Sequence, residues 1–514
     1  MHSLGGLSRS LLLCLVGLKA VLAIPHPADV EARQGTQDAI RDCLLDAVDG
    51  DASQVAFDSQ PGYQAANVHP YNLNWPVTPI AVTYPQTAEQ VAAIVQCAAQ
   101  GGYKVQARSG GHSYGNYCYG GSNGAIVADL SSLTHFSLDP TTNHATAGPG
   151  LLLRDVDQAL HDTSNRAIAH GLCPTVGLGG HATVGGIGPA TRIWGLTTDH
   201  VVGAQVVLAN GSIVHTSETE DPDLFFAIRG AGASFGIVTS FEMRTEPAPD
   251  AVMTYTYTYA AGDVDSRAEL FRQWQEVMTD PSLTRKFSCS CTILPSGVQL
   301  SGTFFGSEEE FAASGILQRI PAAGASSNGT TTAVVTDWLG ALANWANEEL
   351  LDAVGGNVRA SFHEHTVPIT ASSAIPDRGV DALFEYLDAH AKGPSRHTWF
   401  IRIDHQGGAA QDVAADATAF AHRDVLLWME TYVVNMAGQP VSEEGYEFLD
   451  GLRQTLRESV PGLEDRTYPG HVDPLLENAQ EAYWGANLPR LERIKGQVDP
   501  EDVFHNPQGV RPAV

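Results

Sequence analysis

The amino-acid sequence predicts a two-domain α+β protein, on three observations. Its 514 residues exceed the roughly 250–300 at which a single hydrophobic core stops growing. Residues from about 40 to 245 mix helical and strand patterns with dense glycine loops. From about 250 to 460 the glycine clusters thin out, and strand-like runs alternate with helix-like ones. That shift in composition marks the domain boundary. An apolar content of 43% is ample for two cores.

Residues 1–23 read as a signal peptide, with Arg9 before a mostly apolar run from Leu11 to Ala23 and small residues at Val21 and Ala23. The run is short and interrupted by Lys19, so a membrane anchor is the weaker alternative. The segment TAEQVAAIVQCAAQGG predicts a helix with a capping box, Thr87 to Gln90, apolar residues at helical spacing and a stop at Gly101. KVQA and GAIVADL are strand-like, and a helix is expected from about Leu152 to His161. GAQVVLANGSIVHT reads as a hairpin turning at Asn210-Gly211 in type I′ geometry. DPDLFFAIRGAG is a short helix stopped by glycine, and GIVTSFEMRT is a strand. Farther on, MTYTYTY, VQLSGTFFG and TWFIRI are strand-like, RAELFRQWQEVM and VDALFEYLDAHA helix-like, and SSNGTTT a loop. The tail from about Tyr468 is a helix and a loop.

A formal net charge of −29 repels phosphate backbones and anionic lipid, which argues against nucleic-acid or membrane partners. No CxxC pairs with another, so no metal site is expected. Cys289 and Cys291, two apart on a strand, share a face and are not expected to bridge. Sequons start at Asn210 and Asn328, both open to glycosylation in an exported chain.

Three glycine-rich loops follow strands, at 108–121, 173–188 and 229–236. Glycine lets backbone approach a ligand closely, and successive N–H groups in such loops bind a pyrophosphate. GLGGHA (177–182) matches the dinucleotide pattern GxGxxA, but TVGGIG after it is a poor helix former and no βαβ unit surrounds it. His112 in GGHS alone would read as a loop histidine, and Cys173 alone as a buried thiol or disulfide partner.

Taken together, RSGGHSYG, HGLCPTVGLGGHATVGG, DLFFAIRGAGASFGIVT and the tail YWGANLPRLERIKGQVDPEDVF resemble the FAD-linked oxidases of the berberine-bridge-enzyme and vanillyl-alcohol-oxidase type. The likeness is nearest to the secreted fungal glucooligosaccharide oxidases. The resemblance implies a PCMH-type FAD-binding domain of two α/β subdomains, and a substrate domain with a large antiparallel sheet covered by helices. The FAD-binding domain would span 40–250, the substrate domain 251–464, and a return segment, 465–514, would complete the first. It further implies FAD bound covalently, through a ring nitrogen of His112 and the sulfur of Cys173. Ser109, Gly110, Gly111, Ser113, Tyr114, Gly177, Gly179, Gly180, His181, Gly185, Gly186 and Ile237 would surround the cofactor. Tyr483 and Asn487, four apart on the tail helix, would contact it from one face. Cys43 and Cys97 fall at the positions of a structural disulfide.

By the same resemblance a tyrosine acts as base, assisted by an aspartate on a substrate-domain strand. WFIRIDHQGG puts the aspartate at Asp404, and DRTYPGHVD puts the tyrosine at Tyr468, with about one residue of misfit in spacing. A tyrosine serves as base where a nearby donor or positive potential lowers its pKa. The chain departs from the sugar oxidases at Ile187, Arg402 and Leu172, where they carry tyrosine, glutamine and threonine. Arg402 would pair with Asp404 or grip an acidic substrate group. The expected function is a secreted, monomeric FAD-dependent oxidase that takes a C–OH carbon of a carbohydrate-like small molecule to C=O and reduces O2 to hydrogen peroxide. The alternatives are an oxidoreductase of a secondary-metabolite pathway and a degenerate flavoprotein that only binds carbohydrate.

Overall fold

The computed structural model describes residues 27–260, 262–320, 330–346, 359–391, 393, 397–463 and 465–513. The expected signal peptide and the Asn328 sequon lie outside these residues. The fold is α+β, built on three main sheets.

The first sheet orders Val55–Phe57, Ala81–Thr83, Ile126–Asp129 and Val105–Arg108, antiparallel in its first pair and parallel in the others. Helix Ala88–Gly101 packs on it with Val91, Ile94, Val95 and Ala98 buried, the apolar stripe its sequence spacing demands. Its Thr87 cap accepts the Gln90 amide at 3.2 Å, but the Gln90 side chain accepts from Gln86 rather than closing the box on Thr87. Cys43 and Cys97 form a disulfide that ties helix Pro27–Ala47 to this helix.

The second sheet is antiparallel, in the order Phe136–Leu138, His144–Ala147, Ile237–Arg244, Val201–Val207, Ile213–Ser217. The hairpin at its edge forms, but not on the expected type I′ turn. Of Asn210 and Gly211 only Gly211 has positive φ (80°), and the Gly211 amide returns to the Leu208 carbonyl. This is a four-residue turn closed by one left-handed glycine, which tolerates the ordinary φ that Asn210 adopts. Asn210 is exposed at the tip.

The third sheet has seven antiparallel strands in the order Thr330–Thr336, Val252–Ala260, Gly297–Phe305, Phe287–Leu294, Thr398–His405, Val425–Asn435, Ser361–Thr370. The first of these strands begins inside the SSNGTTT segment, which corrects the loop expected there. Helices Val264–Met278, Asp377–Ala389 and Glu443–Ser459 cover one face, burying Phe271, Trp274, Phe384 and Leu452 against it. Each such side chain removed from water contributes about 1.5–3 kcal/mol. The strand period of two decides which residues are left for the other face. Cys289 and Cys291 point to the helices, as do Ile401, Ile403 and Met429. Ser288, Ser290, Arg402, Asp404 and Glu430 therefore face away, toward the glycine loops.

The return segment runs back over the first two sheets. The Val503 carbonyl accepts the Val105 amide, and Leu488, Leu491 and Ile494 enter the core of the second sheet. The expected single tail helix is two: Ala479–Trp484 and Leu488–Val498, separated at Gly485 by a φ of 48° and a ψ of −128°. Arg192 joins the glycine-loop side to the third sheet. Its guanidinium donates to the Phe287 and Gln406 carbonyls, both at 2.8 Å. Among the described residues no helix is long and apolar enough to cross a membrane.

Candidate active site

A cavity of about 400 Å³ lies between the glycine loops and the open face of the third sheet. Residues 109–114 and Cys173, Gly177, Gly179, Gly180, His181 and Ile237 line its first side, and Ile187 and Leu172 extend it. Arg402, Asp404 and Tyr468 line the opposite side. Most of the sequence-predicted residues, from distant segments, are thus brought to one place.

The loops carrying His112 and Cys173 are in direct contact. The Thr175 hydroxyl lies 3.1 Å from His112 Nε2, and the Tyr71 ring stacks on the imidazole at 4.5 Å. Burial and the neighbouring Arg108 charge push the His112 pKa down to about 4, so its ring is neutral at physiological pH. His181 is held neutral too, down at about 3 by burial and by His170, and its Nε2 accepts the Gly171 amide at 2.9 Å.

Tyr468 is 5% exposed. Its oxygen accepts the Gly186 N–H at 3.0 Å, an arrangement set by positive φ at Gly185 (126°) and Gly186 (81°). These two glycines do not line the cavity; they place the tyrosine that does. The expected lowering of the Tyr468 pKa is not what the site produces. Burial raises it, the Glu430 charge adds to the rise, and the hydrogen bond from Gly186 offsets only part. Arg402 pairs with Asp404 at 2.9 Å, one of the two roles foreseen for it.

Tyr483 and Asn487 stand elsewhere, a correction to their expected place at the cofactor. The break at Gly485 destroys the helical register that would align them. The Tyr483 hydroxyl donates to Gln508 and accepts the Asp473 amide, and the Asn487 amide donates to the carbonyls of Ala415 and Thr418. Both brace the return segment.

Three residues that the sequence reading did not single out complete the site. Glu430, cross-strand partner of Arg402, accepts the Tyr432 hydroxyl at 3.0 Å and lies 3.3 Å from His471 Nδ1. Tyr432 is also bonded to Tyr114 at 2.9 Å, and Tyr114 stacks on His471 at 4.7 Å. Burial alone would raise the Glu430 pKa, but His471, Arg402 and the Tyr432 hydroxyl together hold it below the usual carboxylate range. The site therefore offers an ionised carboxylate beside a protonated phenol. An acid inside the mostly apolar and aromatic run VLLWMETYVVN was the available signal, as was a histidine three positions after Tyr468.

The first side of this cavity is shaped for a ligand that backbone must approach closely. A Cβ on Gly180 would stand in open cavity, with no atom of the described residues within 4 Å. Together with a neutral imidazole and a sulfur on the same wall, such a cradle fits FAD. Residues 79–217 match the family described as FAD binding domain, and residues 467–511 the family described as berberine and berberine like. The chain is 38% identical to FAD-linked oxidoreductase sorD of Penicillium rubens, over 92% of this chain and 98% of the relative. It is 36% identical to the glucooligosaccharide oxidase of Sarocladium strictum, over 86% and 89%. The solved glucooligosaccharide oxidase of Acremonium strictum, described with a 6-S-cysteinyl, 8α-N1-histidyl FAD, is 32% identical and covers 93% of this chain and 100% of its own, with a TM-score of 0.82. Fold and site together define an FAD-dependent oxidoreductase. The chain belongs to the FAD-linked oxidases of the berberine-bridge-enzyme type.

Proposed function

We propose that the protein is a secreted oxidase that holds FAD through His112 and Cys173 and oxidises a C–OH carbon of a polyhydroxylated small molecule to C=O, with O2 reduced to hydrogen peroxide. The observation that carries this reading is the meeting of the two loops, which puts His112 and Cys173 on one wall of one cavity. Thr175 engages His112 at Nε2, so Nδ1 is the nitrogen assigned to the cofactor bond. Bound there, FAD supplies the hydride acceptor and the reaction with dioxygen.

The chain's own groups handle the substrate hydroxyl. Tyr468, protonated by its burial, hydrogen-bonds the substrate oxygen and takes its proton as the phenol proton moves on to a carboxylate. Asp404, oriented by Arg402, is the acceptor named by the family resemblance, and Glu430 is the second carboxylate of the cavity. The sheet face adds a row of hydroxyls, Thr254, Thr256, Ser288, Ser290, Ser301 and Thr303, suited to hydrogen-bonding several hydroxyls of a sugar. Peroxide release from an oligosaccharide panel by flavin-bearing protein tests the reading; no turnover of any sugar would refute the carbohydrate assignment. The mass of the flavin peptides in wild type, His112→Ala and Cys173→Ala tests the two bonds.

A second substrate reading rests on the apolar Ile187 and Leu172 in the wall and on the likeness to sorD. In it the substrate is a less polar alcohol of secondary metabolism, and the same assay with aryl and aliphatic alcohols separates the two.

A further inference from the structure

On the opposite side of strand Ser361–Thr370 from Glu364, the strand presents His363 and His365, two positions apart and so on one face. Asp473, from the return segment, meets them. His365 Nδ1 lies 3.0 Å from one Asp473 oxygen, and His363 Nε2 lies 3.6 Å from the other. One nitrogen or oxygen from each of the three falls within 4.8 Å of the others. All three are buried, His363 at 2%, Asp473 at 5% and His365 at 6% exposure. None of them lines the active-site cavity.

We propose that His363, His365 and Asp473 form a structural zinc site that fastens the return segment to the third sheet. Two imidazoles and a carboxylate are a zinc donor set, and tetrahedral ligands at about 2.0–2.1 Å from the ion stand roughly 3.3 Å apart. The side chains need move by no more than about an ångström. The decisive observation is His363 Nε2, a buried nitrogen aimed at the cluster that finds no hydrogen-bond partner among the described residues. Leaving such a group unsatisfied is destabilising, and a metal bond satisfies it. His365 carries its own orienting group, for Asp450 lies 3.3 Å from its Nε2, the carboxylate–histidine–metal arrangement that fixes a ligand's tautomer. A cleft of about 30 Å³, bordered by His365, Asp473, Asp465, Arg453 and Arg457, adjoins the cluster and has room for a water as fourth ligand. Three arginines border the cleft and each is balanced by a carboxylate: Arg453 by Asp450 at 3.0 Å, Arg457 by Asp465, and Arg466 by Asp424 at 2.7 Å. The ion would hold Asp473 five residues from Tyr468 and two from His471, and so fix the wall on which both stand.

Zinc titration of chelator-treated holoenzyme, followed by calorimetry and by thermal denaturation, tests the site. One zinc per chain and a raised Tm are expected, with affinity reduced at least 100-fold in His363→Gln and in Asp473→Asn. No zinc uptake by the wild type, or equal uptake by folded variants, overturns the proposal. Should the variants not fold, Co(II) added to the wild-type holoenzyme decides. Intense four-coordinate d–d bands support the site, and a weak octahedral spectrum or no binding refutes it.

Discussion

Gly110 and Gly177 meet backbone to backbone. A Cβ on Gly177 would lie 2.1 Å from the Gly110 amide nitrogen, and one on Gly110 would lie 2.3 Å from the Gly177 nitrogen. No side chain fits between them, so the His112 and Cys173 loops share one position. Gly177→Ala is expected to part the loops and lose at least one flavin bond, whereas Gly180→Ala, whose added methyl meets none of the described protein atoms, leaves the contact between the loops intact. The masses of the flavin-bearing peptides, which distinguish one link from two, are the measurement; a Gly177→Ala protein with both links intact would contradict the geometry.

Tyr468→Phe removes the oxygen proposed to meet the substrate while leaving the ring in its pocket between Phe420 and Trp428. Loss of a proton-transferring group lowers kcat by roughly 10²–10⁴. Flavin content should be unchanged. Near-normal kcat at saturating sugar would reassign the proton to the carboxylates alone.

His200 must be neutral in the folded protein. Its Nε2 accepts the Ala169 amide at 3.1 Å, so Nδ1 carries the hydrogen, which goes to the Arg244 carbonyl. Burial lowers its pKa from 6.5 to about 4. Between those values the unfolded chain binds a proton that the folded chain refuses. The stability from this group is complete above pH 6.5 and declines as pH falls toward 4, by up to about 1.4 kcal/mol per pH unit. His200→Gln should flatten the Tm–pH curve in that window; parallel curves for the two proteins would count against it.

Lys495 is fully buried. Its ammonium contacts Asp499 at 2.6 Å and Asp502 at 3.0 Å, and donates to the Ser234 carbonyl at 2.7 Å. Lys495→Met strands the Asp499 charge, which costs about 3–5 kcal/mol. A Tm drop of several degrees is expected, and Asp499→Asn in the same background should recover part of it. A Lys495→Met protein as stable as wild type would show that the cluster holds nothing together.

Local order was readable wherever local chemistry governs it. The helix at 88–101 follows from its cap and apolar stripe, and the strands of the third sheet from their alternation. His112 and Cys173 were readable because two glycine-rich loops leave a strong trace in one dimension. Glu430 and His471 were not, since what marks them is proximity: the cross-strand register beside Arg402 and the stacking against Tyr114 arise only when the sheet and the return segment close. Tyr483 and Asn487 misled for the opposite reason. Their spacing was sound for a continuous helix, and one left-handed glycine between them turned them apart. The turn at Asn210-Gly211 failed similarly, because the same dipeptide suits both a two-residue loop and the three-residue loop, ending on a left-handed glycine, that forms here.

The stretch 467–511 is translated after everything it packs against, yet it brings Tyr468 and His471 to the cavity and Val503 and Phe504 to the core beneath the first loops. A chain lacking this stretch would miss one wall of the cavity and the Val503–Val105 hydrogen bond together, so cavity and first core are completed by the same segment.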